Sequence, residues 1–182
     1  MTALFIGLLV CLAIIAYFFI YVTSKINSLE SKVRDKGSEI DGGIWDRGFQ
    51  LSKIIEILEA NGIDHELEKV DVNTFGLGML PTMQALNAEK TDQQDKKLRE
   101  MIKENPIVEK LTKEEELAVH IQKFNNARIE LDKAGKEYNQ AVNSYNAYIV
   151  GFPGSVMAAF HKKSSKSIFG YYFIDFDAKT EK

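Results

Sequence analysis

Two hydrophobic patterns follow one another in the first third of the chain. Residues 3–22, ALFIGLLVCLAIIAYFFIYV, carry no charged side chain, and Lys25 is the first charged residue. A helix over this run would be about 30 Å long, which is the thickness of the hydrocarbon core of a bilayer. The pattern therefore predicts a transmembrane anchor over residues 1–24.

Beyond the anchor, apolar residues recur at intervals of three or four as far as Leu58, which predicts an amphipathic helix. No proline interrupts residues 1–60, and Asn61-Gly62 is a typical helix end. We therefore expect the membrane helix to continue directly into a first bundle helix over residues 25–61.

A second helical region is expected over residues 64–104, with Asp64 as its N-terminal cap. The stretch VNTFGLGMLP contains two glycines and a proline and is expected to interrupt this region near residues 72–81. After the interruption, Met83 and Leu86 are among the apolar side chains expected to support the resumed helix.

The most regular pattern belongs to a third helix, expected over residues 112–152. Thr112 and Glu115 have the spacing of a capping box at its start. Downstream, large side chains recur every seven residues, with alanine or tyrosine between them, which is the pattern of a helix-packing seam. The large positions are Phe124, Leu131, Tyr138, Tyr145 and Phe152, and the interleaved ones are Ala127, Ala134, Ala141 and Tyr148.

Together these patterns predict an all-α fold: an N-terminal transmembrane helix that continues into an antiparallel bundle of long helices. The bundle would occupy residues 25–153 and end at Phe152-Pro153. Residues 154–182 would form a C-terminal segment, with a short amphipathic stretch at 155–160. The aromatic run IFGYYFIDF after it could be an edge strand or a plug over the bundle end.

The apolar run has the features of an uncleaved anchor rather than of a signal peptide. It is long, no basic side chain precedes it, and it ends in the bulky sequence YFFIYV. The positive-inside rule places the basic flank in the cytoplasm. We therefore expect a single-pass protein of the bacterial inner membrane, with its N-terminus outside and its soluble domain cytoplasmic; an extracytoplasmic domain is the alternative. The basic flank consists of Lys25, Lys32, Arg34 and Lys36.

The charge and the motifs of the sequence argue against several classes of function. The net charge is −3, with no strongly basic stretch of the kind that binds nucleic acid. Cys11 is the only cysteine, and His65, His120 and His161 are far apart in the sequence. Zinc-protease, nucleophile-elbow and phosphate-loop motifs are absent. We therefore predict no enzyme activity, no cofactor, no metal and no small-molecule substrate, and the bilayer as a partner.

The first helix carries four glycines, each of which costs about 1 kcal/mol inside a helix. Two interpretations stay open: another backbone, such as that of a second copy, approaches closely here, or the helix bends locally. The first makes the glycines candidates for self-association, and the protein a homo-oligomer. Asp41, Asp46 and Arg47 are expected to form a charged cluster of salt bridges on the same helix. The glycines are Gly37, Gly42, Gly43 and Gly48.

The pairs Tyr138-Asn139 and Tyr145-Asn146 also allow two interpretations. They could line a ligand groove, or they could form a packing seam in which each tyrosine ring is buried and its hydroxyl finds a partner. In the second case each asparagine bonds a neighbouring helix or the C-terminal segment. The seven-residue spacing favours packing.

The run YNQAVNSYNAYIVGFPGSVMAAF resembles the C-terminal signature of the LemA family. The matching positions are Tyr138, Asn139, Val142, Tyr145, Asn146, Phe152, Pro153 and Ala158, and upstream Ile40, Asp41 and Arg47 resemble the family's first-helix pattern. Ser52, Arg128 and Gly135 depart from it. The resemblance implies a bacterial, membrane-anchored bundle of long antiparallel helices with no established enzymatic activity.

These observations predict a non-enzymatic structural protein that self-associates through its long helices and organises or remodels the membrane. The alternative is a membrane-tethered sensor or adaptor that binds a ligand or partner on the bundle or on the C-terminal aromatic segment. The candidate contact residues of that segment are Phe169, Tyr171, Tyr172 and Phe173.

Overall fold

The computed structural model describes residues 2–70 and 81–171, and the side chains from Phe5 onward. Within these residues the chain forms helices and no β-strand, which confirms the all-α class. In chain order the helices are α1 (Thr2–Ala60), α2 (Pro81–Glu104), α3 (Pro106–Leu111), α4 (Glu115–Val150) and α5 (Gly154–Phe160).

Helix α1 confirms that the apolar run and the first amphipathic helix are continuous. It ends as the sequence predicts, because Gly62 adopts a positive φ of 66°. The N–H of Ile63 bonds the carbonyl of Leu58 at 3.0 Å, and the N–H of Gly62 bonds the carbonyl of Glu59 at 3.0 Å. This pair of bonds is the Schellman motif, which satisfies the last carbonyls of a helix.

The N-terminal part of α1 is long and apolar enough to cross a membrane. Its side chains from Phe5 to Tyr21 are exposed, whereas Val22 and Ile26 are almost completely buried. The transition from exposed to buried therefore falls where the uncharged run ends.

The helix expected from Asp64 is absent over residues 63–70, which are extended or irregular. Side chains of α2 replace the missing helical hydrogen bonds. The N–H of Glu68 donates to Oε1 of Gln94 at 3.0 Å, and Nζ of Lys97 donates to the carbonyl of Glu66 at 3.1 Å. The interruption expected near residues 72–81 lies almost entirely outside the described residues.

The capping box expected at Thr112 does not form. Thr112 instead ends the short helix α3, and its hydroxyl donates to the carbonyl of Glu109 at 2.7 Å. Asn105 caps α3 at the other end by accepting from the N–H of Ile107 at 3.0 Å. Helix α4 consequently begins at Glu115, three residues later than predicted.

The chain divides into two compact units. Unit 1 contains Met1–Asp35 and Tyr138–Ile168, and unit 2 contains Lys36–Glu137 and Phe169–Lys182. The apolar core of unit 2 is built from α1, the segment after it, α2, α3 and α4. Its buried members are Leu51, Ile54, Ile55, Leu58, Leu67, Leu98, Val108, Leu111, Leu117 and Phe124.

The large positions of the predicted seam are buried from Phe124 as far as Tyr145. The interleaved positions drift beyond Tyr138, because Val142 and Ile149 are buried instead of the predicted Ala141 and Tyr148. An α-helix has 3.6 residues per turn rather than 3.5, so in a straight helix a seven-residue repeat cannot keep one face buried over four heptads. Phe152, expected to end the seam, follows the last residue of α4 and is 83% exposed.

Candidate functional site: a buried charge cluster

Arg47 lies at the centre of a buried cluster of charged side chains in unit 2. Its side chain is fully buried, and its guanidinium contacts two carboxylates of α2. Nη2 donates to Oδ2 of Asp95 at 3.0 Å, and Nη1 forms a close ion pair with Oδ1 of Asp92. Both carboxylates are as deeply buried as the arginine. All three charges are therefore removed from solvent.

Helix α2 places the two carboxylates together because Asp92 and Asp95 are three residues apart and share one helix face. Arg99 follows on that side and donates through Nε to Oδ1 of Asp95 at 2.8 Å. Its Nη2 donates to Oδ1 of Asn125 on α4 at 3.1 Å. The two oxygens of Asp95 thus accept from two different arginines.

Helix α4 contributes two further side chains to the cluster. The ring centroid of Phe124 lies 4.8 Å from the guanidinium carbon of Arg47, which is within the range of a cation–π contact. Nε of Arg128 lies 3.9 Å from Oδ1 of Asp92. Cationic and anionic side chains from α1, α2 and α4 therefore meet at one point and largely balance one another.

Tyr171 joins the cluster from the C-terminal segment. Its hydroxyl donates a hydrogen bond to Oδ2 of Asp92. Burial, followed by the hydrogen bond to the Asp92 carboxylate, raises the pKa of Tyr171 above its ordinary value of 10. The hydroxyl therefore stays protonated, and remains a donor, throughout the neutral range.

A second buried polar contact joins α1 and α2. Nε2 of Gln84 donates to Oδ1 of Asp41 at 2.6 Å and lies 3.3 Å from the carbonyl oxygen of Gly37. Asp41 and Arg47 thus both contact α2, whereas the sequence predicts that they cluster with Asp46 on α1. Residues one or six apart do not face each other along a helix, and Asp46 is exposed.

The charge cluster is suited to fixing helix positions. Arg47, Asp92 and Asp95 expose almost no surface, so a solute cannot reach them in this conformation. Removing water from each charge costs several kcal/mol, which close pairing offsets, and an unpaired partner left behind would be strongly destabilising. Arrangements of α1, α2 and α4 that separate these charges are therefore disfavoured. Within the described residues, no group of three or more His, Cys, Asp or Glu side chains could hold a metal ion.

The two Tyr-Asn pairs lie in unit 1 and hold the segment of residues 161–168. The hydroxyl of Tyr138 donates to the carbonyl of Ser167 at 3.0 Å. The side-chain amide of Asn146 donates to the carbonyl of Lys166 at 2.9 Å and accepts from its N–H at 2.8 Å. For Tyr138 and Asn146 the contacts are those that the packing interpretation predicts.

Tyr145 differs from Tyr138. Its ring is fully buried, and Nζ of Lys166 lies 5.7 Å from the ring centroid. Its hydroxyl has no hydrogen-bond partner among the described residues, so the expectation that each tyrosine hydroxyl finds one is wrong here. Val142, between the two pairs, is fully buried.

Glu30 of α1 pairs with two lysines of the same segment. Oε2 lies 2.5 Å from Nζ of Lys163, and Oε1 lies 2.9 Å from Nζ of Lys166. The hydrogen bond from Lys163, and after it the bond from Lys166, lowers the pKa of Glu30 from its ordinary value of 4.5. The segment is thus held by α1 as well as by α4.

The four glycines of α1 have different surroundings. A Cβ added at Gly43 would lie 3.3 Å from Cβ of Leu131, so the close approach there is made by α4 of the same chain. Gly48 is buried, and the carbonyl of Gly37 faces Gln84. Gly42 is exposed, and a Cβ there would meet nothing within 4 Å. Of these positions, Gly42 has room for a second copy.

The aromatic residues expected to contact a partner are partly used within unit 2. Phe169 is 2% exposed, and its Cδ1 lies 2.9 Å from the position of a Cβ built on Gly135. Tyr171 belongs to the charge cluster. Tyr172 and Phe173 lie outside the described residues.

Asp92 and Asp95 are the functional-site residues that sequence reasoning missed. A signal was available, because both belong to the buried face of α2, on which positions 84, 88, 91, 95 and 98 have the three-and-four spacing of a packing seam. The face is hidden from a hydrophobicity pattern because most of its residues are polar. Of the apolar side chains that the pattern selects on α2, Leu98 is buried, but Met83 and Leu86 are 48% and 43% exposed.

Comparison with known proteins gives no match, whether with protein-family models, with curated proteins or with solved structures.

Proposed function

We propose that this protein is a non-enzymatic, membrane-anchored structural protein that associates with copies of itself through its long helices and organises the membrane. The resemblance to the LemA family implies the membrane-anchored helical bundle, and the glycines of α1 suggest the self-association. The observation that carries the proposal is helix α1. It is unbroken from Thr2 to Ala60, with an exposed apolar part followed by a part that packs in a core. An anchor that continues without a linker into a packed helix suits a protein whose function depends on its position at the membrane.

The contacts within unit 2 support a bundle in which α4 is antiparallel to α1. Lys36 pairs with Glu137 at 2.6 Å, and Gln50 contacts His120 at 2.8 Å. Residue numbers therefore rise along α1 as they fall along α4. The order of contacts between α1 and α2 is different, because Asp41 meets Gln84 and Arg47 meets Asp95. This order supports a parallel pair, in contrast to the antiparallel arrangement that the sequence predicts for all long helices.

One face of α1 in unit 2 is suited to self-association. Gly42 is open, Trp45 is 42% exposed, and the rings of Trp45 and Phe49 stack with centroids 5.3 Å apart. These three residues have the spacing of a packing seam, on the side of α1 away from Ile44 and Leu51, which are buried in the chain's own core. A second α1 could approach closely at Gly42 and pack against the two rings.

Cross-linking and native mass spectrometry from mild detergent test this proposal. Gly42→Leu fills the open position without a clash inside the chain, so we expect it to convert oligomers to monomers while the helical circular dichroism persists. Asn126→Leu, at an exposed position of α4, is the matched control and should remain oligomeric. A wild-type protein that is monomeric at its native density in the membrane would refute self-association.

The expected topology, with an outside N-terminus and a cytoplasmic domain in the bacterial inner membrane, needs its own experiment. Cys11→Ser removes the only cysteine, and Ser164→Cys then introduces one at an exposed position. We expect a membrane-impermeant maleimide to label this variant after cell lysis and not in intact cells. Labelling of intact cells would establish the extracytoplasmic alternative.

The alternative function, a sensor or adaptor, has one observation in its favour. An open cleft of about 520 Å³ in unit 2 is lined by residues that include His65, Lys97 and Glu100. Its volume is in the range of ligand pockets, but such pockets are mostly apolar and enclosed. Glu100→Lys inverts a charge of the lining without touching the core. Pull-downs from native membranes compare the partners of this variant, of Tyr172→Ala and of the wild type. If all three return the same partners, the sensor or adaptor function is contradicted.

A further inference from the structure

Four exposed apolar side chains of unit 1 lie at the end of α4, in the connection after it and in α5, and they are here called the apolar cap. It consists of Val150, Phe152, Val156 and Phe160, which are 72%, 83%, 53% and 78% exposed. The opposite side of α5 is packed, since Ala158 is 4% exposed. Contiguous exposed apolar side chains of this size usually mark a surface that contacts a partner or a membrane.

Two observations, one on each side of the cap in the sequence, link it to the end of the apolar run of α1. Before the cap, the pKa of Tyr148 is raised, first by burial and second by Tyr21. After the cap, Nε2 of His161 lies 3.4 Å from Oγ1 of Thr23. Tyr21 and Thr23 stand where the exposed apolar part of α1 gives way to buried positions.

The part of the chain that carries the cap leads toward the apolar end of α1. Nζ of Lys166, 5.7 Å from the ring centroid of Tyr145, pairs with Glu30 of α1. His161, which directly follows the cap, lies beside Thr23. From Tyr145 to His161 the contacts on α1 therefore move toward its N-terminal, apolar end, and the cap ends next to the exposed apolar run.

We propose that the apolar cap inserts into the boundary between headgroups and acyl chains of the bilayer that α1 crosses, and so forms a second membrane contact. This inference rests on the proposed membrane anchor. Amphipathic surfaces of this kind enter a bilayer by about 5–10 Å. Lys25 and Lys162, close in sequence to the contacting residues Thr23 and His161, are exposed and suit anionic headgroups. The cap lies to one side of α1. Contact of the cap with the bilayer would therefore prevent α1 from rotating freely about its own axis.

A depth measurement on the full chain tests the inference. In a Cys11→Ser background, single cysteines replace Phe152, Phe160, Ser164 or Ile14, and each carries a polarity-sensitive fluorophore. The protein is placed in nanodiscs of phosphatidylcholine with phosphatidylglycerol, at one copy per disc. We expect labels at 152 and 160 to emit at shorter wavelength than the label at 164, and to be quenched by lipids brominated near the headgroup end of the acyl chain. The exposed Ser164 follows Lys163, the partner of Glu30, and is the aqueous control.

Each outcome decides between the two proposals. A label at 14 that reports deep hydrocarbon, together with water-like labels at 152 and 160, would overturn the inference and leave the anchor intact. A water-like label at 14 would overturn the anchor and the inference with it. A third outcome is that the labels at 152 and 160 show apolar emission only in discs with two copies and are not quenched by brominated lipid. The cap would then contact a second copy, which would also overturn the inference.

Discussion

The residues that decide the arrangement of unit 2 are charged rather than apolar. Arg47 makes an ion pair and a hydrogen bond to α2 and a ring contact to α4, and each of these contacts is buried. Apolar side chains tolerate many packings of similar volume, whereas a buried arginine is compatible only with those that bring carboxylates to it. The charge cluster therefore favours the one packing of α1, α2 and α4 that keeps Arg47 next to its carboxylates.

Truncating one partner of the cluster should be more harmful than replacing both. We expect Asp92→Ala to lower the free energy of unfolding by about 3–5 kcal/mol, because it leaves the three arginines of the cluster with Asp95 as the one remaining carboxylate of α2 beside them. Combining Asp92→Leu with Arg47→Met removes both charges and should cost clearly less than Asp92→Leu alone. Thermal unfolding followed by circular dichroism in mild detergent measures both effects. Glu116→Ala, at an exposed position of α4, is the control. Equal losses in the single and double variants would contradict the role of the pair.

The ion pairs of Glu30 should make the segment of residues 161–168 sensitive to acid. Since the folded-state pKa of Glu30 is lowered, its contribution to stability is present above the ordinary pKa of 4.5 and is lost as the pH falls through the folded-state value. The side chain is 30% exposed, so we expect a loss of about 1 kcal/mol or less. Hydrogen exchange of the Lys166 N–H, corrected for intrinsic rates, would report it. Glu30→Gln should abolish the acid dependence, and an unchanged dependence in that variant would assign it to another group.

At the level of elements, the sequence predicts that both α1 and α2 are helices, but it identifies the buried face only where that face is apolar. Helix α1 has a regular apolar stripe and a glycine stop, so both its existence and its end are predictable. The buried face of α2 contains Gln84, Thr91 and Asp95, whose partners are distant in sequence. No periodicity within α2 reveals such partners. The extended residues 63–70 are unpredictable for the same reason, because their hydrogen bonds come from side chains of α2.

Two glycines, one within α1 and one just after its end, should respond to alanine in opposite directions. Gly62 has a positive φ, so Gly62→Ala should destabilise the protein by about 1–2 kcal/mol. Gly42 lies in a regular helix with free space around it, so Gly42→Ala should stabilise the monomer by about 0.4–1 kcal/mol. Thermal unfolding at a detergent excess that keeps the chains monomeric measures both. If Gly42→Ala lowers the stability under these conditions, the free space described around Gly42 is contradicted.

For the whole molecule, the apolar run is the feature that bears on location, because it is long and apolar enough to cross a membrane. Its residues from Phe5 to Tyr21 are exposed. A bilayer would remove this apolar surface from water, which is favourable roughly in proportion to the area removed.

Charges placed in the run should therefore release the protein from membranes. Each lysine at the centre of a spanning helix costs about 2.5–3.5 kcal/mol. We expect Leu9→Lys combined with Leu12→Lys to shift the protein from the carbonate-resistant membrane pellet to the supernatant. Asn27→Lys with Ser28→Lys adds the same charge at two exposed positions beyond the run and should leave the protein in the pellet. Release of the control variant, or retention of the first, would contradict anchoring by residues 3–22.

The proposed anchor would make α1 responsive to the thickness of the bilayer. A spanning helix that is longer than the local hydrocarbon layer tilts, and the tilt grows as the layer thins. In unit 1 the apolar run leads without a break into Val22 and Ile26, which are buried. Local thinning of the bilayer would therefore reach these buried residues as a mechanical displacement, with no flexible linker to absorb it.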